Sequence, residues 1–352
     1  MSPRISVVMP VYNVEQFVKS AIESVLKQTY DNFELLIVDD RGDDNSMQIC
    51  KQFIGDPRVH IIRHQTNKGL AAARNTGIRH SLGEFVAFID SDDLWHPEKL
   101  QRHVVHLDKN PNVGLSFSRS SFIDYQGKFI DFYQMPKLFD IDAAHLLCRN
   151  PVGNGSAPVI RRSTINDIRF QPASSKNRHS CYFDENFRQS EDIECWLRIA
   201  ATTSWEIEGL PEPLTYYRLN HGGLSANLEK QYASWEKMIE KARGFAPKLL
   251  KQHEESARGF QLRYLSRQAI RIGDGSAAVK LFNRAMKASP SIIRSETFKT
   301  VTTMIAAYAQ WIIPAWGYIA IEAVGQKFIG ILQKLRISRD GVSSEFMQQS
   351  KL

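Results

Sequence analysis

The first quarter of the chain alternates apolar runs with helical stretches, and each apolar run hands over to polar or acidic residues. Ile5–Met9 is a β-rich run halted at Pro10. Val14, Phe17, Val18, Ala21, Ile22, Val25 and Leu26 then recur at helical spacing. Phe33–Val38 is the next apolar run and ends in Asp39-Asp40, after which Ser46–Phe53 has the pattern of a short helix. Val59–Ile62 reads as a third strand, and Ala71–Ser81 as a helix behind the loop Asn67-Lys68-Gly69. Phe85–Ile89 is the fourth strand and opens into Asp90-Ser91-Asp92-Asp93. Strands that alternate with helices imply right-handed crossovers and a parallel sheet. In such sheets ligands bind beyond the C-terminal strand ends, near a topological switch point. Asn13, Asp39-Asp40 and Asp90–Asp93 all fall at such ends, which predicts one shared site.

Three carboxylates at the end of a buried strand need a counterion. A hard divalent cation, Mn²⁺ or Mg²⁺, prefers oxygen ligands and often pairs one or two carboxylates with substrate phosphates. The same residues also read as an acidic turn ahead of a helix at Pro97, so this stretch alone leaves both open.

A chain of 352 residues is long enough for about two domains. Four cysteines without a CxxC pair fit a reducing compartment, and the start shows no signal-peptide pattern. The net charge of +7 is uneven: residues 229–352 carry 20 Lys+Arg against 10 Asp+Glu, and residues 1–228 carry 25 against 28. The basic third suggests an anionic partner, a membrane surface or nucleic acid, or else solvated helix faces. No nucleic-acid-binding module is recognisable, so no nucleic acid is expected.

From Val113 to Tyr217 the pattern is mixed, with strands at Val113–Phe117 and Pro158–Ile160 and a helix at Ile193–Ala201. Beyond Asn227 the chain reads as mainly helical, which places a boundary near 228. Leu262, Leu265, Ala278, Phe282, Ala285 and Pro290 have the spacing of one tetratricopeptide-type hairpin over about 259–292. Thr300–Ile321 carries no charge and includes Trp311 and Trp316, and basic residues follow it. The reading is a segment over about 300–337 lying in a membrane interface, with burial or a true span as alternatives.

Six stretches in order resemble the family 2 glycosyltransferases, an inverting group with a GT-A fold. They are Val7–Asn13; Val38-Asp39-Asp40 with Asp44-Asn45-Ser46; Asn67–Asn75; Asp90–Asp93; Glu191–Arg198; and, more loosely, Tyr217–His221 with Ser225. The resemblance covers about residues 4–228 and implies a Rossmann-like, mostly parallel sheet with flanking helices, followed by the helical C-terminal region. It also implies transfer of a sugar from a nucleotide-sugar donor, UDP-linked, to a glycan or lipid-linked glycan acceptor. The expected setting is cytoplasmic, peripheral at the inner face of the membrane. A non-catalytic nucleotide-binding scaffold that keeps the fold is the alternative.

The residues suit that chemistry. Pro10, Tyr12 and Asn13 line the sheet edge, where an aromatic ring can pack on a base. Asp39 or Asp40 can accept from a uracil imide or ribose hydroxyl. Lys68 and Arg74 bring positive charge toward the diphosphate. The resemblance assigns Asp92 to the metal and Asp90 to ribose or metal, with Asp93 in support and Ser91 among the donor contacts. It sets His221 near the metal or pyrophosphate, where a surface histidine is the plainer reading. It makes Asp192 the general base that takes the acceptor proton and Glu191 its positioning partner. One departure is Arg41-Gly42-Asp43-Asp44, where the family carries a Gly-Ser-Thr turn.

Overall fold

The computed structural model describes residues 2–172, 179–219, 227–313, 329–343 and 346. His221 and residues 314–328 of the expected interfacial segment lie outside them. Two compact units emerge, residues 1–141, 151–220 and 332–352 forming one and residues 142–150 and 221–331 the other.

The first unit is built on a nine-stranded sheet. Its leading elements are β1 (Ile5–Val11), α1 (Val18–Leu26), β2 (Phe33–Asp39), α2 (Ser46–Cys50), β3 (Val59–Arg63), α3 (Leu70–His80) and β4 (Phe85–Phe88). Every residue of β1, β2 and β4 is buried, as mainly apolar strands in a parallel sheet must be, and the polar Ser6 of β1 donates to Glu34 of β2 at 2.6 Å. The rest of this unit comprises β5 (Leu94–Trp95), α4 (Lys99–Lys109), β6 (Val113–Ile123) and β7 (Phe129–Gln134). They are followed by β8 (Val159–Arg161), α6 (Arg162–Asp167), α7 (Glu191–Thr202) and β9 (Glu206–Arg218), with α5 (Ala143–Cys148) assigned to the other unit.

The strand order is β3-β2-β1-β4-β8-β6-β9-β5, with β7 on β6. β1, β2, β3 and β4 pair in parallel, as expected from their sequence, while β8 runs antiparallel to both β4 and β6. The chain leaves β1 toward β2 and β3 and later returns to β1's other side as β4, so the switch point lies between β1 and β4. Helix α3 lies hard against β1: a Cβ on Gly77 would come within 2.2 Å of Val8. Residues 329–339 are helical, and Ile337, Val342 and Phe346 complete a small core with Tyr133 and Leu214.

The second unit contains α8 (Leu228–Phe245), α9 (Pro247–Arg271), α10 (Gly275–Ala288), α11 (Ile292–Ser295) and α12 (Thr297–Ile312). α9 and α10 form a hairpin with Leu262, Leu265, Ala278, Phe282 and Ala285 buried. Residues 142–150 belong here because Arg149 pairs with Glu296 at 3.0 Å and lies over the Phe260 ring. Burial opposes charge on Glu296, but Arg263, Arg149 and Lys299 prevail and hold its carboxyl at about 2. No helix among the described residues is long and apolar enough to cross a membrane.

Candidate functional site

The polar loops at the switch point are knitted before any ligand is considered. Asn13 adopts a left-handed backbone with φ 52°, and its Oδ1 accepts from the Asp43 N–H at 3.0 Å. A Cβ on Gly42 would fall 2.4 Å from that oxygen, which explains the glycine in the departing turn. Asp44 caps the start of α2 by accepting from Ser46 N–H, and it also accepts from Glu15 N–H. Tyr12 stands half exposed beside this loop, with its ring open to a flat partner. Pro10 is buried within β1, and Asn13 is exposed.

Asp40 serves the protein rather than the open cleft. One oxygen accepts from Lys68 N–H at 2.8 Å and faces His64 Nδ1 at 2.7 Å; the other accepts from Gly69 N–H at 2.8 Å and Asn67 Nδ2 at 3.0 Å. A carboxylate has about four acceptor positions, and these contacts fill them. The result is the turn that starts α3, where Gly69 has φ 93°. The Lys68 side chain is exposed there. Asp39 accepts from Arg41 N–H at 2.9 Å and pairs with Arg63 at 3.0 Å.

Arg74, buried in the first turns of α3, joins the two halves of the site. It donates from Nη2 to Asp90 at 2.7 Å and from Nη1 to Glu191 at 2.7 Å. Its expected diphosphate contact is thus one step removed, because both Nη groups already hold carboxylates. Gly155 makes the arrangement possible, since a Cβ there would lie 2.2 Å from Arg74 Nη2 and 2.9 Å from Asp90 Oδ2.

The three aspartates of the turn divide. Asp93 is buried: it accepts from the Ser156 hydroxyl at 2.6 Å and from Arg218 N–H at 2.9 Å. Burial first, then Asp92 and Asp90, push its carboxyl well above the usual carboxylate range. Its oxygens are engaged, so the reading of Asp93 as a supporting ligand would require displacing those partners. Ser156 also accepts from Asp90 N–H at 2.9 Å, so one hydroxyl ties both ends of the turn. Arg218 closes the back through Nε to the Asp92 carbonyl at 2.7 Å. Beneath it, Lys99 Nζ donates to the Ala157 carbonyl at 2.8 Å and to Thr215 Oγ1 at 3.1 Å. Asp90 and Asp92 remain partly exposed, and Ser91 is buried between them.

Among the described residues no three His, Cys, Asp or Glu side chains converge into a metal cage. Two partly exposed carboxylates do fit a hard cation whose shell is completed by diphosphate oxygens.

α7 carries Glu191, Asp192 and Glu194 in its first turn, where the helix dipole favours negative charge. Burial pushes the Glu191 carboxyl up to about 7, against the pull of Arg74 and with a further push from Asp192. Burial also raises Asp192, with Arg74 opposing and Asp90 adding to the rise. Asp192 is half-buried, its Oδ1 near Ile193 N–H at 2.8 Å. Trp196 is buried edge-on to Phe183 as core packing. Asn75 holds the segment leading to α7, accepting from the Tyr182 and Phe183 N–H groups and donating to the Phe183 carbonyl and Glu185.

Asp90, Arg74, Glu191 and Asp192 are therefore brought together. His64 was given no role in reading the sequence, although it is a polar residue at the end of a strand on the site's edge. Gly155 and Ser156 lie in Asn154–Pro158, a stretch that resembles an acceptor-side loop, and Arg218 lies in the loosely matching Tyr217–His221, but neither stretch showed the ties to Asp90 and Asp93.

Residues 6–169 match the sequence profile described as Glycosyl transferase family 2. The UDP-Glc:alpha-D-GlcNAc-diphosphoundecaprenol beta-1,3-glucosyltransferase WfgD of Escherichia coli is 30% identical over 227 residues, 64% of this chain and 81% of that protein. An uncharacterized glycosyltransferase of Rickettsia felis is 33% identical over 62% of this chain, which spans 33% of that relative's length. S. aureus TarS 1–349, solved in complex with UDP-GlcNAc, superposes with a TM-score of 0.54 at 17% identity, covering 84% of this chain and 92% of its own. Mannosyltransferase PcManGT from Pyrobaculum calidifontis, solved in complex with GDP-Man and Mn²⁺, superposes with a TM-score of 0.56 at 17% identity, covering 97% and 88%. At these identities the structural likeness speaks for a GT-A-like fold.

Proposed function

Because this chain belongs to glycosyl transferase family 2, we propose that it moves a sugar from a nucleoside diphosphate, UDP by preference, to a hydroxyl of a lipid-linked or polysaccharide acceptor, with inversion. The observation that carries the reading is the bridge Asp90–Arg74–Glu191, which couples the donor-side turn to the helix bearing Asp192. The names of the relatives support the donor and acceptor classes: WfgD's specifies UDP-Glc and a diphosphoundecaprenol-linked GlcNAc, and TarS was solved with UDP-GlcNAc. A lipid-linked acceptor would bring the chain to the inner face of the membrane.

The ionised Asp192 carboxylate takes the proton of the acceptor hydroxyl as its oxygen attacks the anomeric carbon. The bond from that carbon to the diphosphate oxygen breaks, and its electron pair leaves with the nucleoside diphosphate. Glu191, held by Arg74, fixes the helix end from which Asp192 projects. Tyr12 packs on the base, Asn13 and Asp39 line its edge, and Lys68 faces the phosphates. Asp92, with Asp90, would hold Mn²⁺ or Mg²⁺. When bound, the cation offsets charge on the departing diphosphate. The Mn²⁺ in the PcManGT complex supports that choice.

A panel of nucleotide sugars read by thermal shift, with and without Mn²⁺, tests the donor. UDP-sugars should stabilise the protein only with metal. Asp192→Asn should keep that shift and lose transfer by about 10²–10⁴-fold. Turnover by Asp192→Asn at the wild-type rate would remove the base assignment, and UDP binding with no transfer to any acceptor would point to a non-catalytic scaffold.

A further inference from the structure

α12 has two unlike faces. Thr300, Thr303 and Ala307 are buried, on the side that packs within its unit. Phe298, Val301, Ile305 and Ile312 are exposed by 77%, 36%, 59% and 70%. At the helical angle of about 100° per residue these four side chains fall within an arc of about 60°, roughly opposite the buried face. Trp311, 58% exposed, lies about 80° outside the arc, toward the side of Thr300. From Thr297 to Ile312 the helix carries one charge, that of Lys299. Large apolar side chains aligned in this way and exposed by 36–77% are unusual for a water-facing helix and mark a surface meant to be covered.

We propose that this face of α12 docks onto an anionic lipid surface. Charge complementarity chooses that occupant: residues 229–331 carry 16 Lys+Arg against 8 Asp+Glu. An apolar stripe on a basic body matches the interfacial mode, in which apolar side chains enter the acyl boundary while cations meet the head groups. Spanning is excluded for the helix as described, because its 16 residues cover about 24 Å against a hydrocarbon core of about 30 Å. Trp311 has the amphipathic ring favoured at such a boundary. The proposal rests on this exposure pattern and on charge, and holds whether or not the chain transfers a sugar.

Flotation of the full chain with vesicles of phosphatidylcholine, alone or mixed with phosphatidylglycerol, tests it. The chain should float with the mixed vesicles, and added salt should weaken the binding. Ile305→Glu combined with Ile312→Glu should weaken binding about tenfold or more. Helicity and melting temperature should not change, because both side chains are exposed, and neither should the donor thermal shift. Three results would each overturn the proposal: no flotation with mixed vesicles, equal flotation of the double variant, or a wild-type oligomer that the double variant dissociates, which would give the face to a second copy of the chain.

Discussion

Replacing Arg74 by Leu would remove the one guanidinium that pairs with both Asp90 and Glu191. Each lost bond is charge-assisted and buried on the arginine side, and such bonds contribute about 1.5–3 kcal/mol. Breaking a buried ion pair from one side costs about 3–5 kcal/mol, because the partner's charge stays buried without compensation. The two estimates agree on a loss near 4 kcal/mol at pH 8, roughly 8–16 °C in melting temperature for a unit of this size. The loss should depend on pH. Glu191 titrates near 7 in the folded protein, above its unfolded value, so its protonated form contributes stability at low pH that is lost as the pH rises through 7. Arg74 lowers that value, so the variant should titrate higher still. At pH 5.5 Glu191 is protonated in both proteins, and the penalty should shrink toward the Asp90 share alone. Urea unfolding at pH 5.5 and pH 8 measures this. Adding Glu191→Gln to the variant should recover part of the loss at pH 8. Equal penalties at the two pH values, or a penalty below about 1 kcal/mol at both, would refute the reasoning.

Gly155→Ala should drive Arg74 from Asp90, costing about 1–3 kcal/mol in unfolding experiments and most of the transfer activity. Asp93→Asn should destabilise the chain yet keep the metal requirement of donor binding in thermal-shift assays, because Asp93 is tied to Ser156 and Arg218. Asp92→Asn should do the opposite, binding UDP better than wild type without metal and worse with it, as read by calorimetry. The rate should fall on the acid side at a pH above the ordinary aspartate range, because burial raises Asp192 and the base must be ionised to work. An acid limb at or below about 4 in kcat/KM would contradict that.

The elements easiest to read were those whose signal is local. β1, β2 and β4 are mainly apolar runs, and their parallel pairing follows from the helices between them. β9 was not legible, because Pro211, Pro213 and several acidic residues interrupt a 13-residue strand whose register with β6 shifts twice near Arg119. α4 was anticipated only as a helix at Pro97, without its extent or packing, since its buried face includes Lys99 and His103. The site shows the limit more sharply. Asp92 and Asp93 are identical neighbours, and what separates them is Ser156 and Arg218, 63 and 125 positions from Asp93. Arg74 was legible as a cation near the site but not as a bridge, for Glu191 lies 117 positions away. Residues 142–150 left the sheet unit for a similar reason: the carboxylate that pairs with Arg149 is Glu296.

Charge balance turns these placements into an argument about the ligand. Asp90, Glu191 and Asp192 cluster around one buried guanidinium whose Nη groups are both in use, and Asp92 adds its charge beside Asp93 in the same turn. The protein relieves the excess in two ways. It holds Asp93 toward its protonated form, and it shifts Glu191 to about 7. Neither device helps a diphosphate, which adds further negative charge to the same edge. Lys68 and Arg188 supply two exposed cations at that loop, fewer than the charge of two carboxylates and a diphosphate together. A divalent cation held by Asp92 would restore the balance, offsetting charge on the departing diphosphate. The same arithmetic explains why Arg74 faces carboxylates instead of substrate. If it reached for the diphosphate it would strip Glu191 of its partner, and the helix end that aims Asp192 would lose its anchor.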